Sequence, residues 1–131
     1  MPITHEFTLV GDSAVGFLGI ASLSELPFEP VRFFWINGTP SGITRGQHAH
    51  RRCEQFILCL AGEYKVSLSH GHDSQLILLR TGQGLHIPPG IWGSQTPTSD
   101  GSVLGVFASL AYSEDDYIRD FNNYLDWLRD N

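Results

Sequence analysis

Short apolar runs, broken by glycine, proline and charged residues, recur through most of the chain. FTLV, FLGIASL and VRFFWI come first, between Phe7 and Ile36. EQFILCLAG, EYKVSLSHG, QLILLRTGQG, LHIPPGIW and SVLGVFASLAY follow at intervals of about ten residues. This rhythm predicts strands joined by turns and packed as an all-β sandwich or barrel, not as βαβ units. The pattern changes after residue 112. In SEDDYIRDFNNYLDWLRDN the apolar residues Tyr117, Ile118, Phe121, Tyr124, Leu125 and Leu128 fall on one face of a helix predicted over about 114–129. Ser113 and Asp116 resemble a capping pair, and the acidic first turn suits the helix dipole. The helix is expected to lay its aromatic face on the outside of the barrel and to carry no chemistry.

Size and composition narrow the class. At 131 residues, with 41% hydrophobic and 17% charged residues, 14 Gly and 7 Pro, the chain suits one folded β-rich domain, 1–131, with its barrel over about 5–112. The low charge content fits a dimer. A net charge of −6 disfavours a nucleic-acid partner, although local arginines can still hold a single phosphate group. Cys53 and Cys59 lie six apart in one predicted strand, where a disulfide would have to bend the strand back on itself, so free thiols are expected. The start, MPITHEFTLVGD, has no basic segment leading into an apolar run, and no stretch approaches the ~18 apolar residues of a membrane helix. A cytoplasmic protein without a membrane partner is the expectation.

Two segments carry candidate chemistry. In HAHRRCEQFILCLAG, His48 and His50 share one face of a strand, Gln55 follows after four intervening residues, and Gly62 lies seven further on. In GQGLHIPPGIW, Gly82, Pro88 and Gly90 match the second cupin pattern, with Gly93 where that pattern ends on histidine. The expected fold is therefore a cupin, a jelly-roll barrel with one C-terminal helix. Metal cupins place Glu at the position of Gln55. Only two of four ligand positions remain, whereas a tight divalent site usually takes three or four, so no metal and no other cofactor is expected. His70 and His72 sit in SHGHDS, a predicted hairpin turn, and His86 precedes the PPG turn in ambiguous phase.

Without a metal, two pocket imidazoles suggest proton transfer, since an imidazole both accepts and donates a proton near neutral pH. Both being hydrogen-bonded structural residues is the alternative. Against it, the pair follows a glycine and is flanked by Arg45, Arg51 and Arg52. Arg45 could neutralise a phosphate or an oxyanion, and of Arg51 and Arg52, which point to opposite faces, at most one meets the same ligand.

The chain resembles the sugar-nucleotide 3,4-ketoisomerases of the cupin superfamily, which act on dTDP-4-keto-6-deoxyglucose. The resemblance rests on VRFFWI, RGQHAHRRCEQFILCLAG, GLHIPPGIW, VLGVFASLAYSEDDYIRDF and the C-terminal helix, in the family order. It implies a metal-free homodimeric isomerase of a dTDP-linked sugar in deoxysugar biosynthesis for polysaccharides or antibiotics. A base would remove the C3 proton, an enediolate would form, and reprotonation at C4 would leave a 3-keto sugar. His48 and His50 match the family's histidine pair, with His50 the first choice as base. Arg45 and Gln55 match pocket positions, and Arg32 resembles the basic residue before the aromatic strand. An arginine, Arg51 among the candidates, is expected on the diphosphate, and an aromatic, Trp92 among them, against the thymine.

Two positions depart from the family. Gly93 stands where a proton-transferring or hydrogen-bonding side chain is usual, and Val15 where Arg or Tyr is frequent. Both would line the sugar end. The alternatives are therefore a related isomerase or epimerase of a different sugar, or a non-catalytic cupin that binds nucleotide sugars.

Overall fold

The computed structural model describes residues 3–131. Its strands are β1 (Thr4–Glu6), β2 (Thr8–Asp12), β3 (Gly16–Ile20), β4 (Arg32–Asn37), β5 (Arg45–His50), β6 (Gln55–Ala61), β7 (Glu63–His70), β8 (Asp73–Arg80), β9 (Gln83–Ile87), β10 (Trp92–Pro97), β11 (Val103–Ala108) and β12 (Tyr117–Ile118). One helix, α1 (Phe121–Asp130), follows, and short 3-10 turns lie at Leu23–Glu25 and Glu114–Asp116. Two five-stranded sheets, β1-β9-β6-β11-β4 and β12-β5-β10-β7-β8, make up the body, with β2 and β3 apart as a hairpin. This is the expected all-β cupin, a double-stranded β-helix with one C-terminal helix.

Side-chain alternation builds it. In β4, RFFWIN, Arg32, Phe34 and Ile36 turn inward while Phe33, Trp35 and Asn37 stay exposed. In β7, Tyr64, Val66 and Leu68 are buried on the corresponding face of the other sheet. These inner faces meet in a core of Ile57, Cys59, Tyr64, Val66, Leu68, Leu79, Leu85, Ile87, Leu104 and Val106. Each fully buried aliphatic side chain there contributes about 1.5–3 kcal/mol. Strand β6 is buried on both faces, because Phe56 and Leu58 pack outward against Phe7 and Leu26. Cys53 and Cys59 are buried free thiols.

The C-terminal segment departs from the expected helix of 114–129. Its first residues form a 3-10 turn and then β12, which pairs Tyr117 with His50 and Ile118 with Ala49. The helix starts only at Phe121, capped by Asp120, whose carboxylate accepts from the Asn123 N–H at 2.9 Å. The strand wins over the helix because Asp116 is drawn inward to four groups around β5 described below. From Phe121 on, the aromatic face packs outside the barrel as expected, with Tyr124 fully buried beside Ala49 and Ile118. The Tyr124 hydroxyl donates to Gly90 O at 2.7 Å and Ser69 O at 3.1 Å, tying the helix to the PPG turn.

Candidate active site

Strand β5 holds the two histidines at the end of the sandwich nearest β12. Gly46 (φ 90°) and Gln47 (φ 59°) form a bulge there, and the register against β10 shifts between Gly93 and Ser94. As a result His48 lies directly opposite Gly93. Ala49, between the histidines, faces the helix, so both imidazoles face the interior. Their ring centroids are 5.0 Å apart, and Tyr117 packs on both, at 5.0 Å from His48 and 4.4 Å from His50.

His50 is 5% exposed and oriented by a carboxylate. Its Nδ1 lies 2.8 Å from Asp116 Oδ2. Asp116 is itself fixed by backbone donors: its Oδ1 accepts from Arg52 N at 2.6 Å, its Oδ2 from Cys53 N at 3.3 Å, and its carbonyl from Arg51 N at 2.8 Å. An ionised Asp116 makes Nδ1 the protonated nitrogen and leaves Nε2 as the basic one. His50 Nε2 is buried and has no hydrogen-bond partner among the described residues. A buried, unpartnered acceptor turned to the interior is what a general base requires before its substrate arrives.

The electrostatics agree. Burial pulls His50 below the ordinary imidazole value, opposed by its hydrogen bond to Asp116, with Arg32 and Arg119 adding to the lowering. Burial and the neighbouring His50 pull His48 down to about 4. Burial alone would raise Asp116, but the bonds from His50, Arg52 N and Cys53 N hold it below the usual carboxylate range. Near neutral pH the site therefore holds two uncharged imidazoles over one carboxylate.

The opposing wall comes from the other sheet. Arg32 lies near the rings of Phe34 and Tyr112, at 5.1 and 5.8 Å, and its Nε is buried without a hydrogen-bond partner among the described residues. Gln55, buried, pairs with Ala108 and Ile87 on its two sides. At the rim Arg119 covers the Tyr117 ring at 4.2 Å and grips Glu114 through Nε and Nη2, at 2.7 and 3.1 Å. Tyr112 donates to the same carboxylate. Those bonds hold Glu114 down at about 2.

Strand register puts Arg32, Ala108 and Gln55 in one row of the opposing wall, Arg32 is near enough to His50 to act on it, and His48 pairs with Gly93 on the other wall. Arg45 lies opposite Gln95, two residues from Gly93, with an exposed side chain near the pocket's end. Trp92 is placed elsewhere: its ring packs on Phe121 and Tyr124 at 5.2 and 5.4 Å, because the pleat turns it to the helix when it turns Gly93 inward. The Arg51 guanidinium is spent on the carbonyls of Asp115 and Tyr117, at 2.6 and 2.8 Å, and so straps β12 in place. Val15 is 85% exposed at the tip of the β2–β3 hairpin, outside both sheets. His70 and His72 are exposed around the β7–β8 turn, and His86 faces outward to Glu54 at 2.9 Å.

Asp116, Tyr117 and Arg119 are the residues that reading the sequence for chemistry passed over. Helical periodicity assigned their segment to a cap and first turn; the family-like DYIR run was the one available signal. For a metal, the cupin positions supply only His48 and His50. His50, Cys53 and Asp116 also bring ligand atoms within 4.8 Å of one another, but the Nδ1 and the carboxylate already bind each other and the backbone. The donor set fits proton transfer better than a divalent ion.

Residues 3–129 match the family FdtA, described as WxcM-like, C-terminal. The chain is 33% identical over 124 residues to the TDP-4-oxo-6-deoxy-alpha-D-glucose-3,4-oxoisomerase of Aneurinibacillus thermoaerophilus, covering 94% of this chain and 89% of that one. Its fold superposes with a TM-score of 0.87 on a 3,4-ketoisomerase from Helicobacter canadensis, at 32% identity over 98% of this chain and 97% of that one. The same score relates it to a histidine-to-asparagine mutant of the 3,4-ketoisomerase QdtA from Thermoanaerobacterium thermosaccharolyticum in complex with TDP-4-keto-6-deoxyglucose, at 31% identity over 98% and 94%.

Proposed function

This chain belongs to the FdtA family (WxcM-like, C-terminal), and from that premise we propose that it is a 3,4-ketoisomerase of a TDP-linked 4-keto-6-deoxyhexose. The observation that carries the reading is the His50–Asp116 pair, with His50 Nε2 buried, unpaired and beside His48. A hydrogen on C3 is acidified by the C4 ketone, and His50 Nε2 takes it. Asp116 stabilises the imidazolium that forms. The electron pair left at C3 forms the C3–C4 double bond while the C4 carbonyl oxygen gains a proton, giving an enediol. His48, uncharged and 5.0 Å from His50 between ring centroids, relays a proton between the two oxygens: it gives one to O4 and takes one from O3. His50 then returns its proton to C4, and a ketone remains at C3. No electrons leave the sugar, and no cofactor enters the balance.

Arg32, with its buried unpaired Nε, is assigned to the anionic part of the substrate, and Arg45 to the exposed end of the same site. A homodimer is part of the reading: Phe17 and Leu18 on the hairpin and Trp35 on β4 are each more than 60% exposed, and a groove of about 320 Å³ runs between hairpin and sheet. Two buried free thiols fit a reducing cytoplasm, and no helix of the described residues is long and apolar enough to cross a membrane. A 3-keto product suits amination next, as in the building of amino sugars for polysaccharides. The test is NMR of TDP-4-keto-6-deoxyglucose with the protein in heavy water. Deuterium entering C3 together with conversion to a 3-keto sugar is expected; neither occurring would reject the function.

A further inference from the structure

One inward side chain on the histidine wall has no part in the proton transfer. Gln95 stands two residues from Gly93 on β10, part-buried on the inner face, with Arg45 of β5 opposite it on one side and Val66 of β7 on the other. Val66 is buried hydrocarbon, and the Arg45 side chain is exposed where β5 has no further strand beside it, since β12 pairs only with Ala49 and His50.

Two glycines seat the Gln95 amide. A Cβ on Gly46 would come within 3.0 Å of Gln95 Oε1, and a Cβ on Gly93 would lie 3.8 Å from Gln95 Nε2. At Gly46 the backbone requires glycine, with φ 90° in the β5 bulge. Gly93 has no such need: its φ lies outside the left-handed region, and its Cβ would meet nothing nearer than Leu68 Cδ2 at 3.4 Å, an ordinary contact. A longer side chain at 93 would grow between the amide and His48, the register partner of Gly93. Glycine there leaves the amide open to the space that His48 faces.

Along this wall the groups run His50, then His48 with Gly93, then Gln95 with Arg45. The hexose has a fixed order as well: C4 and C3 react, C2 follows, and C1 carries the diphosphate. With C3 and C4 at the histidines and the diphosphate led toward Arg45, the group between them faces the substituent on C2. An amide suits a hydroxyl at that place, because Oε1 accepts from it, Nε2 donates to it, and neither atom titrates.

We infer, on the footing of the ketoisomerase reading, that Gln95 is a specificity residue for the C2 hydroxyl, selecting 2-hydroxy over 2-deoxy sugar nucleotides. A 2-deoxy sugar strips the amide of solvent and returns no hydrogen bond to it. Leaving such a group unpaired corresponds to a preference of about 10-fold or more in kcat/KM.

The experiment compares TDP-4-keto-6-deoxyglucose with its 2-deoxy analogue as substrates of the full-length protein and of two variants. Gln95→Met keeps the length of the side chain and removes the amide; Gln95→Asn draws the amide back by one methylene. The natural chain should prefer the 2-hydroxy sugar by about 10-fold or more, and both variants should lose most of that preference. Each preference is a ratio within one preparation, so a reduced folded fraction cancels, and the intrinsic reactivities of the two sugars cancel between proteins. A natural-chain preference under about 3-fold, too small for an unpaired amide, or a preference that both variants keep, would overturn the inference and leave the isomerase standing. Variants that bind TDP normally yet turn over neither sugar would also overturn it, since the amide would then serve the reaction itself. No conversion of the 2-hydroxy sugar by the natural chain, with no deuterium entering C3 in heavy water, would reject the isomerase, and the C2 inference with it.

Discussion

The chain carries two histidine pairs of identical spacing, His48-Ala-His50 and His70-Gly-His72, and they have nothing else in common. The first lies within a strand, so its two imidazoles share the inner face, and His50 is buried against Asp116. The second straddles a β7–β8 turn in which Gly71 adopts φ 70°, and both imidazoles are exposed. Spacing alone brings the imidazoles together only where both lie in a strand, as at His48 and His50, whose ring centroids are 5.0 Å apart. Only burial and a fixed carboxylate give one nitrogen a defined tautomer and leave the other free for a proton. Chemistry follows from the second layer of contacts more than from the motif.

Substitutions along this comparison should separate steeply. His50→Gln should lower kcat/KM by roughly 10³-fold, the scale of a lost general base, as followed by conversion of TDP-4-keto-6-deoxyglucose. Asp116→Asn should lower kcat by about 10²-fold or more while KM changes little, because the imidazole loses its tautomer and its counter-charge. The same variant should move the acidic limb of the kcat/KM profile to lower pH, since the carboxylate raises His50 against burial; an unmoved limb would leave Asp116 a merely structural part.

Smaller effects concern stability. Tyr124→Phe should cost about 1–3 kcal/mol in chemical denaturation, because the carbonyls of Gly90 and Ser69 lose a buried donor. The pH dependence of folding has a definite sign at His48. Its proton binds near 6.5 in the unfolded chain and at about 4 in the fold, so the uncharged form stabilises. That contribution is complete above the unfolded value and is lost as pH falls from about 6.5 toward 4. His48→Gln should flatten this part of the stability profile. At the other pair, His72→Ala should change stability by no more than ~0.5 kcal/mol and leave turnover intact.

Much of the fold was legible where one face of a strand is core and the other is not: RFFWIN and EYKVSLSH alternate cleanly, and HAH in a strand can only share a face. What was hidden depends on contacts distant in sequence. Asp116 reads as a helix cap until β12 pairs with β5, some 66 residues away, and gives it His50. Trp92 could face pocket or helix, and only the pairing of Gly93 with His48 fixes its phase. The apolar hairpin, with Val15 at its tip, carries no inward and outward pattern, since both of its faces lie outside the sheets. Arg51 was legible as a charge but not as a strap, because its partners are backbone carbonyls of Asp115 and Tyr117.

The central claim is that the buried Nε2 of His50, aimed by Asp116, moves the proton of the reaction. Its most direct test is C3 exchange in heavy water with His50→Gln, alongside calorimetric binding of TDP. The account predicts TDP affinity within about 3-fold of the natural chain, a difference under 1 kcal/mol, with no deuterium entering C3. Undiminished exchange in that variant would contradict it.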